Sequence, residues 1–300
     1  MSAIVSKDVY EIVTNTIIEK LEEGVVPWQQ PWREIGVPRN YVTKRPYRGL
    51  NLLLLNALAY PYNEFLTFRQ VQDLGGRVSK GEKGHLVILW LWLDDDKARE
   101  ENDEAKPRKR PMLRYYHVYN IAQCTGIYLP KPERSISQDP IFQCESLIHD
   151  MPNRPKIVHN ENEAYYHPVA DYINMPKPEM FDRREKYYST LFHELVHSTG
   201  HESRLNRKEL VEITAFGSEV YSMEELTAEI GACFLTSYAG IALDNLRNHV
   251  AYIKGWLSKL REDKKLIVHA SAQAQKAVDY ILNVSSQEDH ETLDAINRAS

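Results

Sequence analysis

The stretch Leu191-Phe-His193-Glu194-Leu-Val-His197 decides how the second half of this 300-residue chain is interpreted. On a helix, residues four apart lie on one face, so the imidazoles of His193 and His197 can hold one metal ion. Glu194 lies beside them and can hold the water that such an ion acidifies. Apolar residues at positions 187, 188, 191, 192, 195 and 196 give this predicted helix, residues 183–199, a buried side.

Two carboxylates follow on a second predicted helix, residues 223–238. Glu225 and Glu229 are one turn apart and share a face. One fits the role of third metal ligand and the other that of partner to a ligand histidine, and the spacing does not choose between them. A chance match of the histidine motif and a solvated acidic face are the alternatives. The two helices together favour a metal site, with Zn²⁺ as the expected ion and Mn²⁺ or another divalent ion as the alternative.

A third histidine, His201, follows the motif closely. The longer motif that uses three histidines needs the third one six positions after His197, where this chain has Ser203. We therefore expect His201 in the turn that ends the helix, and a ligand role is the less favoured alternative. Tyr187 or Tyr188 is a candidate to approach the oxyanion of a substrate.

Composition excludes several protein classes. The net charge is -5, the mean hydropathy is -0.50, and no apolar run approaches the roughly 20 residues of a membrane span. Three widely separated cysteines (Cys124, Cys144 and Cys233) exclude a disulfide scaffold. No signal peptide is visible at the N-terminus, so we expect a soluble cytoplasmic protein with no membrane partner.

The N-terminal half is locally basic and rich in aromatic residues. Residues 25–93 contain nine Lys or Arg against four acids, a balance of +5. Aromatic rings stack on unpaired bases and cations follow phosphates, so this mixture predicts binding of single-stranded DNA. The alternative is a small domain with core tryptophans and an ordinary charged surface. The predicted contact residues are Trp28, Trp32, Arg39, Lys44, Arg45, Tyr47, Arg48, Lys80 and Lys83.

The pattern of elements predicts an α+β fold with two domains. The first, residues 1–129, is a small mixed α/β domain, and the second, residues 141–300, is mainly helical with a small sheet. A Pro- and Ser-rich linker, residues 130–140, separates them. The predicted helices span residues 4–21, 47–60, 67–75, 183–199, 223–238, 243–260 and 270–284. The predicted strands span residues 86–93 and 113–121, with the charged insert 94–111 between them, and residues 157–159 and 171–174. Within the second domain, the extended segment 171–175 is expected to be an edge strand that pairs with a bound peptide.

Ordered motifs along nearly the whole chain carry a resemblance to a known family. Pro27-Trp28, Pro46-Tyr-Arg-Gly49, the run 78–83 and Tyr119-Asn-Ile-Ala-Gln123 resemble the N-terminal domain of ArdC-type antirestriction proteins. The C-terminal half, from the run 171–176 through the histidine motif to Glu224-Glu225, resembles the zincin-like metallopeptidase domain that accompanies it. The charged insert 94–111 is a departure from the family pattern.

The resemblance implies a plasmid-borne protein of conjugative elements that binds single-stranded DNA and shields incoming DNA from restriction. It implies a gluzincin-like zinc hydrolase in which His193, His197 and Glu225 or Glu229 hold the ion and Glu194 is the general base. Similar domain pairs also occur beside plasmid primases. Three hypotheses follow: a DNA-tethered protease, a strand-coating protein whose metal is structural or vestigial, and a nuclease. The last is disfavoured because no acid cluster suited to Mg²⁺ is present.

Overall fold

The computed structural model describes residues 8–29, 36–58, 60–94, 109–130, 139–207, 219–241 and 250–284. Within them the chain is α+β, as predicted, with eight α-helices and three small sheets. Trp32, residues 95–108 of the charged insert and residues 131–138 of the predicted linker lie outside the described residues. Every helix in the described ranges is too short or too polar to cross a bilayer.

Six strands form two sheets in the N-terminal half: β1 (Arg39–Asn40), β2 (Glu64–Thr67), β3 (Arg77–Val78), β4 (His85–Asp94), β5 (Lys109–Asn120) and β6 (Cys124–Thr125). The larger sheet has the order β1-β2-β5-β4, and its long antiparallel pair β4 and β5 confirms the two strands predicted around the charged insert. The smaller sheet pairs β3 with β6. One face of the larger sheet packs on Leu55 through Phe65, Val87 and Val118.

Three helices accompany these sheets: α1 (Val9–Glu22), α2 (Leu50–Asn56) and α3 (Phe68–Asp73). Asp8 caps α1 by accepting a hydrogen bond from the backbone N–H of Tyr10. Helix α2 is shorter than the predicted helix 47–60 because Gly49, with φ +54°, precedes it in a non-helical conformation. Thr67 and Gln70 form a reciprocal capping box that fixes the start of α3.

Five helices form most of the described part of the C-terminal half: α4 (Pro140–Asp150), α5 (Arg184–Ser198), α6 (Glu219–Ala239), α7 (Val250–Glu262) and α8 (Leu266–Ile281). The last four confirm the helices predicted there, with shifted ends. Helix α4 was not predicted from the sequence. Asp139 followed by Pro140 is nevertheless a typical helix start, and the Asp139 side chain caps the helix by accepting a hydrogen bond from the backbone N–H of Ile141.

A three-stranded sheet beside α5 corrects one sequence prediction. It consists of β7 (Lys156–Val158), β8 (Tyr165–His167) and β9 (Tyr172–Asn174), in the order β7-β9-β8. The segment predicted as a peptide-binding edge strand contains β9, which is the central strand. Its backbone pairs with β7 on one side and β8 on the other, so it has no free edge for a peptide.

Both halves of the chain contribute to one hydrophobic core. Helix α1 packs on α7 and α8, and α2 packs on α8. Trp28 is 1% exposed, donates its indole N–H to the hydroxyl of Tyr252 at 3.0 Å and meets Trp256 edge to face. Arg48 forms an ion pair with Asp279 of α8. The domain boundary at residues 130–140 therefore remains a prediction from the sequence, and the two segments that it separates share one hydrophobic core.

Candidate metal centre

Helices α5 and α6 approach closely because α6 carries a glycine where they touch. A Cβ atom on Gly231 would lie 2.7 Å from Cγ2 of Val196, which is too close for any real contact. The interface between the two helices is fully buried at Val196, Leu195 and Leu226. The close packing brings the first turns of α6 opposite the histidine motif of α5.

His193, His197 and Glu225 meet at one point between the two helices. Their ligand atoms all lie within 4.8 Å of one another. The two Nε2 atoms are 3.0 Å apart, and the Glu225 carboxylate oxygens lie 3.7 Å from Nε2 of His193 and 3.5 Å from Nε2 of His197. His193 and Glu225 are partly exposed whereas His197 is buried, so the group opens towards solvent on one side.

The orientation of His197 is fixed by a residue that sequence reasoning missed. Glu224 places Oε1 3.1 Å from Nδ1 of His197, which leaves Nε2 free to face the group. Burial acts to raise the pKa of Glu224, but the hydrogen bond with His197 and the charge of Arg207 lower it well below its usual value. Glu224 is therefore an ionised acceptor, the arrangement that tunes ligand histidines in metal sites.

Arg207 completes this network after the end of α5. Its guanidinium is buried and donates from Nε to Oε2 of Glu224 at 3.0 Å and from Nη2 to Oε1 at 2.5 Å. It also donates to the carbonyl oxygen of Val196 at 2.8 Å and to Oγ1 of Thr199 at 2.5 Å. The same side chain thus neutralises the buried carboxylate and satisfies a carbonyl group at the C-terminus of the helix.

Glu194 lies next to the group with its carboxylate almost wholly buried. Burial raises its pKa above the usual range, and the nearby Glu225 carboxylate acts in the same direction. The backbone of Tyr166 in β8 lies near the carboxylate and acts to lower its pKa. Strand β8 is held against α5 by Arg204, which donates to the hydroxyl of Tyr166 at 3.1 Å and to Asp171.

Three other predicted positions lie apart from the group. Glu229, the alternative to Glu225, does not join it in the described structure. His201 lies in the turn after α5, as expected, where its Nδ1 is 2.8 Å from Oγ of Ser203. Tyr188 is buried and donates its hydroxyl to Glu145 of α4. Glu224 adjoins Glu225 in sequence, but only the packing of α6 on α5 reveals which nitrogen it contacts.

The predicted DNA contacts divide into buried and exposed positions. Trp28 is part of the core, which corrects its prediction as a base-stacking residue. Tyr47 packs edge to face on Phe65 and is partly buried, and this burial raises its pKa. Arg39 pairs with the buried Glu64 and Arg48 with Asp279. Lys44, Arg45, Lys80 and Lys83 are exposed.

Comparison with known proteins assigns the two halves of the chain. Residues 7–119 match the family model of the N-terminal domain of anti-restriction factor ArdC, and residues 143–273 match that of a zincin-like metallopeptidase. The metal-free crystal structure of antirestriction protein ArdC from plasmid R388 is 33% identical, with TM-score 0.72 over 93% of this chain and 99% of that one. This chain belongs to the ArdC family. The Mn(II)-bound structure of the R388 ArdC protein matches equally well, at 34% identity and TM-score 0.72, over 94% of this chain and 99% of that one.

Curated relatives show the same module in proteins of different length. An uncharacterized protein y4eC of Sinorhizobium fredii is 35% identical, over 91% of this chain and 91% of that protein. A DNA primase TraC of Escherichia coli is 33% identical over 92% of this chain, which spans only 20% of the primase. The ArdC-family chain therefore corresponds to a whole protein in one relative and to a fraction of another.

The residues of this ArdC-family chain fit a divalent metal ion. Two imidazoles and one carboxylate are the ligand set of catalytic zinc sites that keep a further position open. His197 presents a single nitrogen to the group because Glu224 engages the other. The chemistry of the donors, together with the Mn(II)-bound relative, supports a divalent ion at His193, His197 and Glu225.

Proposed function

We propose that this chain is a plasmid-encoded antirestriction protein that binds single-stranded DNA and cleaves protein substrates with a Zn²⁺-dependent peptidase site, protecting DNA that enters by conjugation. The observation that carries the proposal is the meeting of His193, His197 and Glu225 beside the buried carboxylate of Glu194. Mn²⁺ is the alternative ion. Membership of the ArdC family supports the antirestriction role in this proposal. The arrangement of the metal group and Glu194 supports peptide hydrolysis.

The residues around the group divide the work of hydrolysis. A divalent ion held by His193, His197 and Glu225 would supply Lewis acidity for a water molecule and a peptide carbonyl. Glu194 takes the proton of the attacking water and passes it to the leaving amine. Glu194 is almost wholly buried, so that the base is held in place before a substrate arrives.

The outer edge of β8 is the best place for the substrate backbone. In the described structure β8 is the outer strand of its sheet and pairs with β9, and the backbone of Tyr166 lies near the carboxylate of Glu194. The open edge of β8 is therefore close to the catalytic carboxylate. An extended peptide added along this edge would pass beside the metal group. This replaces β9, the strand that the sequence suggested.

Glu194→Gln tests the peptidase role because it removes the base and keeps the size of the side chain. We expect this variant to bind Zn²⁺ and an oligonucleotide like the wild type, but to lose cleavage of proteins bound to single-stranded DNA. It should also lose protection of a conjugated plasmid in a restricting recipient. Glu229→Gln on α6 is the matched control and should behave like the wild type. Full protection by Glu194→Gln would contradict the peptidase role.

The second candidate is a strand-coating protein whose metal is structural. The observation in its favour is the buried network of Glu224 and Arg207, which ties His197 into the packing of α5 and α6. On this hypothesis, removal of the metal lowers thermal stability, and Glu194→Gln leaves protection intact. Differential scanning calorimetry with and without a chelator, combined with the conjugation assay, separates the two functions.

A further inference from the structure

A row of aromatic rings lies on one face of β5. Tyr115, His117 and Tyr119 are two residues apart, so their side chains leave the strand on the same side. The rings of Tyr115 and His117 meet edge to face at 5.8 Å, and the ring of Tyr119 lies 6.2 Å from that of Phe68 at the start of α3. Tyr115 is 43% and Phe68 51% exposed. We call these four rings the aromatic row.

The basic loop 79–84 lies directly against the aromatic row. A Cβ atom on Gly84 would lie 2.8 Å from Cβ of His117 and 3.1 Å from Cζ of Tyr119, so only glycine allows this approach. The loop carries Lys80 and Lys83, both exposed. In the described part of the chain neither lysine has a carboxylate within ion-pair distance, which leaves both charges available to an anion.

A buried side chain holds this loop in position. Gln123 donates from Nε2 to Oε2 of Glu82 at 2.8 Å and to the carbonyl oxygen of Lys83 at 3.0 Å. The backbone carbonyl oxygen of Gln123 also accepts a hydrogen bond from the backbone N–H of Ser79 at 2.8 Å. The lysines therefore extend from a fixed backbone, and binding an anion does not require the loop to become ordered first.

An open cavity of about 360 Å³ lies at the Phe68 end of the aromatic row. Its lining residues are Phe68, Gln72, Gly75, Gly76, Arg77 and Val78. Arg77 is an exposed residue. A flat apolar ring, an amide side chain and a cation around one hollow are the groups that hold a nucleobase and its phosphate.

The geometry points to the aromatic row as the surface on which bases of single-stranded DNA stack, with Lys80, Lys83 and Arg77 along the phosphates. This inference rests on the proposed function and deepens it. Neighbouring rings of the aromatic row are 5.8 Å and 6.2 Å apart, well above the roughly 3.4 Å between stacked nucleotides of one DNA strand. An extended, unstacked strand fits this spacing, whereas a duplex hides the base faces that the rings need.

The test uses the full-length protein and a fluorescein-labelled oligothymidylate of 20 nucleotides, followed by anisotropy. Phe68→Leu and Tyr115→Leu keep apolar bulk but remove the π face. Each should raise the Kd at least about fivefold, the factor that corresponds to about 1 kcal/mol of lost stacking. Phe68→Trp should bind like the wild type or more tightly. Phe142→Leu, at a residue of α4 that is 61% exposed, is the matched control and should leave the Kd unchanged.

The lysines are tested through the salt dependence of the same binding. The double variant Lys80→Gln/Lys83→Gln should reduce the slope of log Kd against log salt by about 1.4, because each phosphate contact on a single strand contributes about 0.7. Lys156→Gln/Lys177→Gln, two exposed lysines of the C-terminal half, is the control. If the wild type binds DNA, and the Phe68, Tyr115 and lysine double variants bind it as tightly as the wild type does, the aromatic row is not the binding surface although the protein binds DNA. If the wild type does not bind, the proposed DNA function fails with it.

Discussion

Glu224 and Glu225 are consecutive residues of α6, yet they face opposite nitrogens of the same imidazole. Glu224 Oε1 lies 3.1 Å from Nδ1 of His197, and Glu225 Oε1 lies 3.5 Å from its Nε2. The first carboxylate is buried with Arg207, whereas the second is partly exposed beside His193. Neighbouring acids thus have separate roles, one orienting the histidine and one completing the ligand set.

Glu225→Ala should abolish tight binding of Zn²⁺. It removes one of three ligands, so the loss of affinity should exceed the about 10- to 100-fold that removal of an outer partner causes. Competition with a fluorescent chelator measures this affinity. Glu229→Ala, one turn further along α6, is the control and should bind Zn²⁺ like the wild type. The reverse result would assign the third ligand to Glu229.

Glu224→Gln should lower both Zn²⁺ affinity and stability. The affinity should fall about 10- to 100-fold because His197 loses its ionised partner. The free energy of unfolding should fall by about 3–5 kcal/mol because the guanidinium of Arg207 stays buried without its carboxylate. The double variant Glu224→Gln/Arg207→Leu should recover part of the stability but none of the affinity. Equal recovery of both would contradict separate roles.

Trp28→Ala should destabilise the protein without weakening DNA binding by the folded molecules. The indole is fully buried against Trp256, and removing it leaves a cavity that costs about 3–5 kcal/mol. Trp28→Phe fills part of the cavity and should cost less. Urea unfolding gives the stability, and oligonucleotide titration corrected for the folded fraction gives the affinity. A selective loss of affinity in Trp28→Phe would restore this residue to the DNA surface.

Asp171→Asn should destabilise the protein in a pH-dependent manner. Burial acts to raise the pKa of Asp171, but hydrogen bonds from Arg204 and Tyr166 lower it below the usual value. The stabilisation is therefore complete above the unfolded-state pKa of about 3.9 and is lost as the pH falls through the folded-state pKa. Asparagine also tolerates the φ of +51° at this position.

Urea unfolding of wild type and Asp171→Asn between pH 7 and pH 2 checks this dependence. The difference in unfolding free energy should be constant near neutrality and shrink in acid. Asp73→Asn on the exposed surface of α3 serves as the control and should show a small difference throughout. A difference that grows on acidification would contradict the role assigned to the ionised carboxylate.

The sequence predicts the core of the metal group because its spacing is local. His193 and His197 are four residues apart on one helix, so their meeting depends only on helical geometry. The choice between Glu225 and Glu229 depends on how α6 packs on α5, and the close contact at Gly231 is not visible as a pattern. The role of Glu224 depends on the same packing, as does that of Arg207, which reaches back from beyond α5.

Burial of aromatic residues was harder to predict than helices and strands. Trp28 lies in a basic, proline-rich segment typical of a surface, yet α7 covers it from more than 200 positions away in sequence. The exposed rings Phe68 and Tyr115 lie in ordinary helix and strand patterns, and neither is among the predicted contact residues. Composition indicated a surface for unpaired bases in the N-terminal half, but tertiary packing decides which rings reach solvent.

The common core of α1, Trp28, α2 and the last helices also constrains how such genes can recombine. A crossover in the predicted linker would separate partners such as Arg48 and Asp279 and leave apolar faces uncovered on both products. The same region occurs nearly end to end within a much longer TraC primase. This packing favours recombination in which the coding sequence of both halves is transferred together.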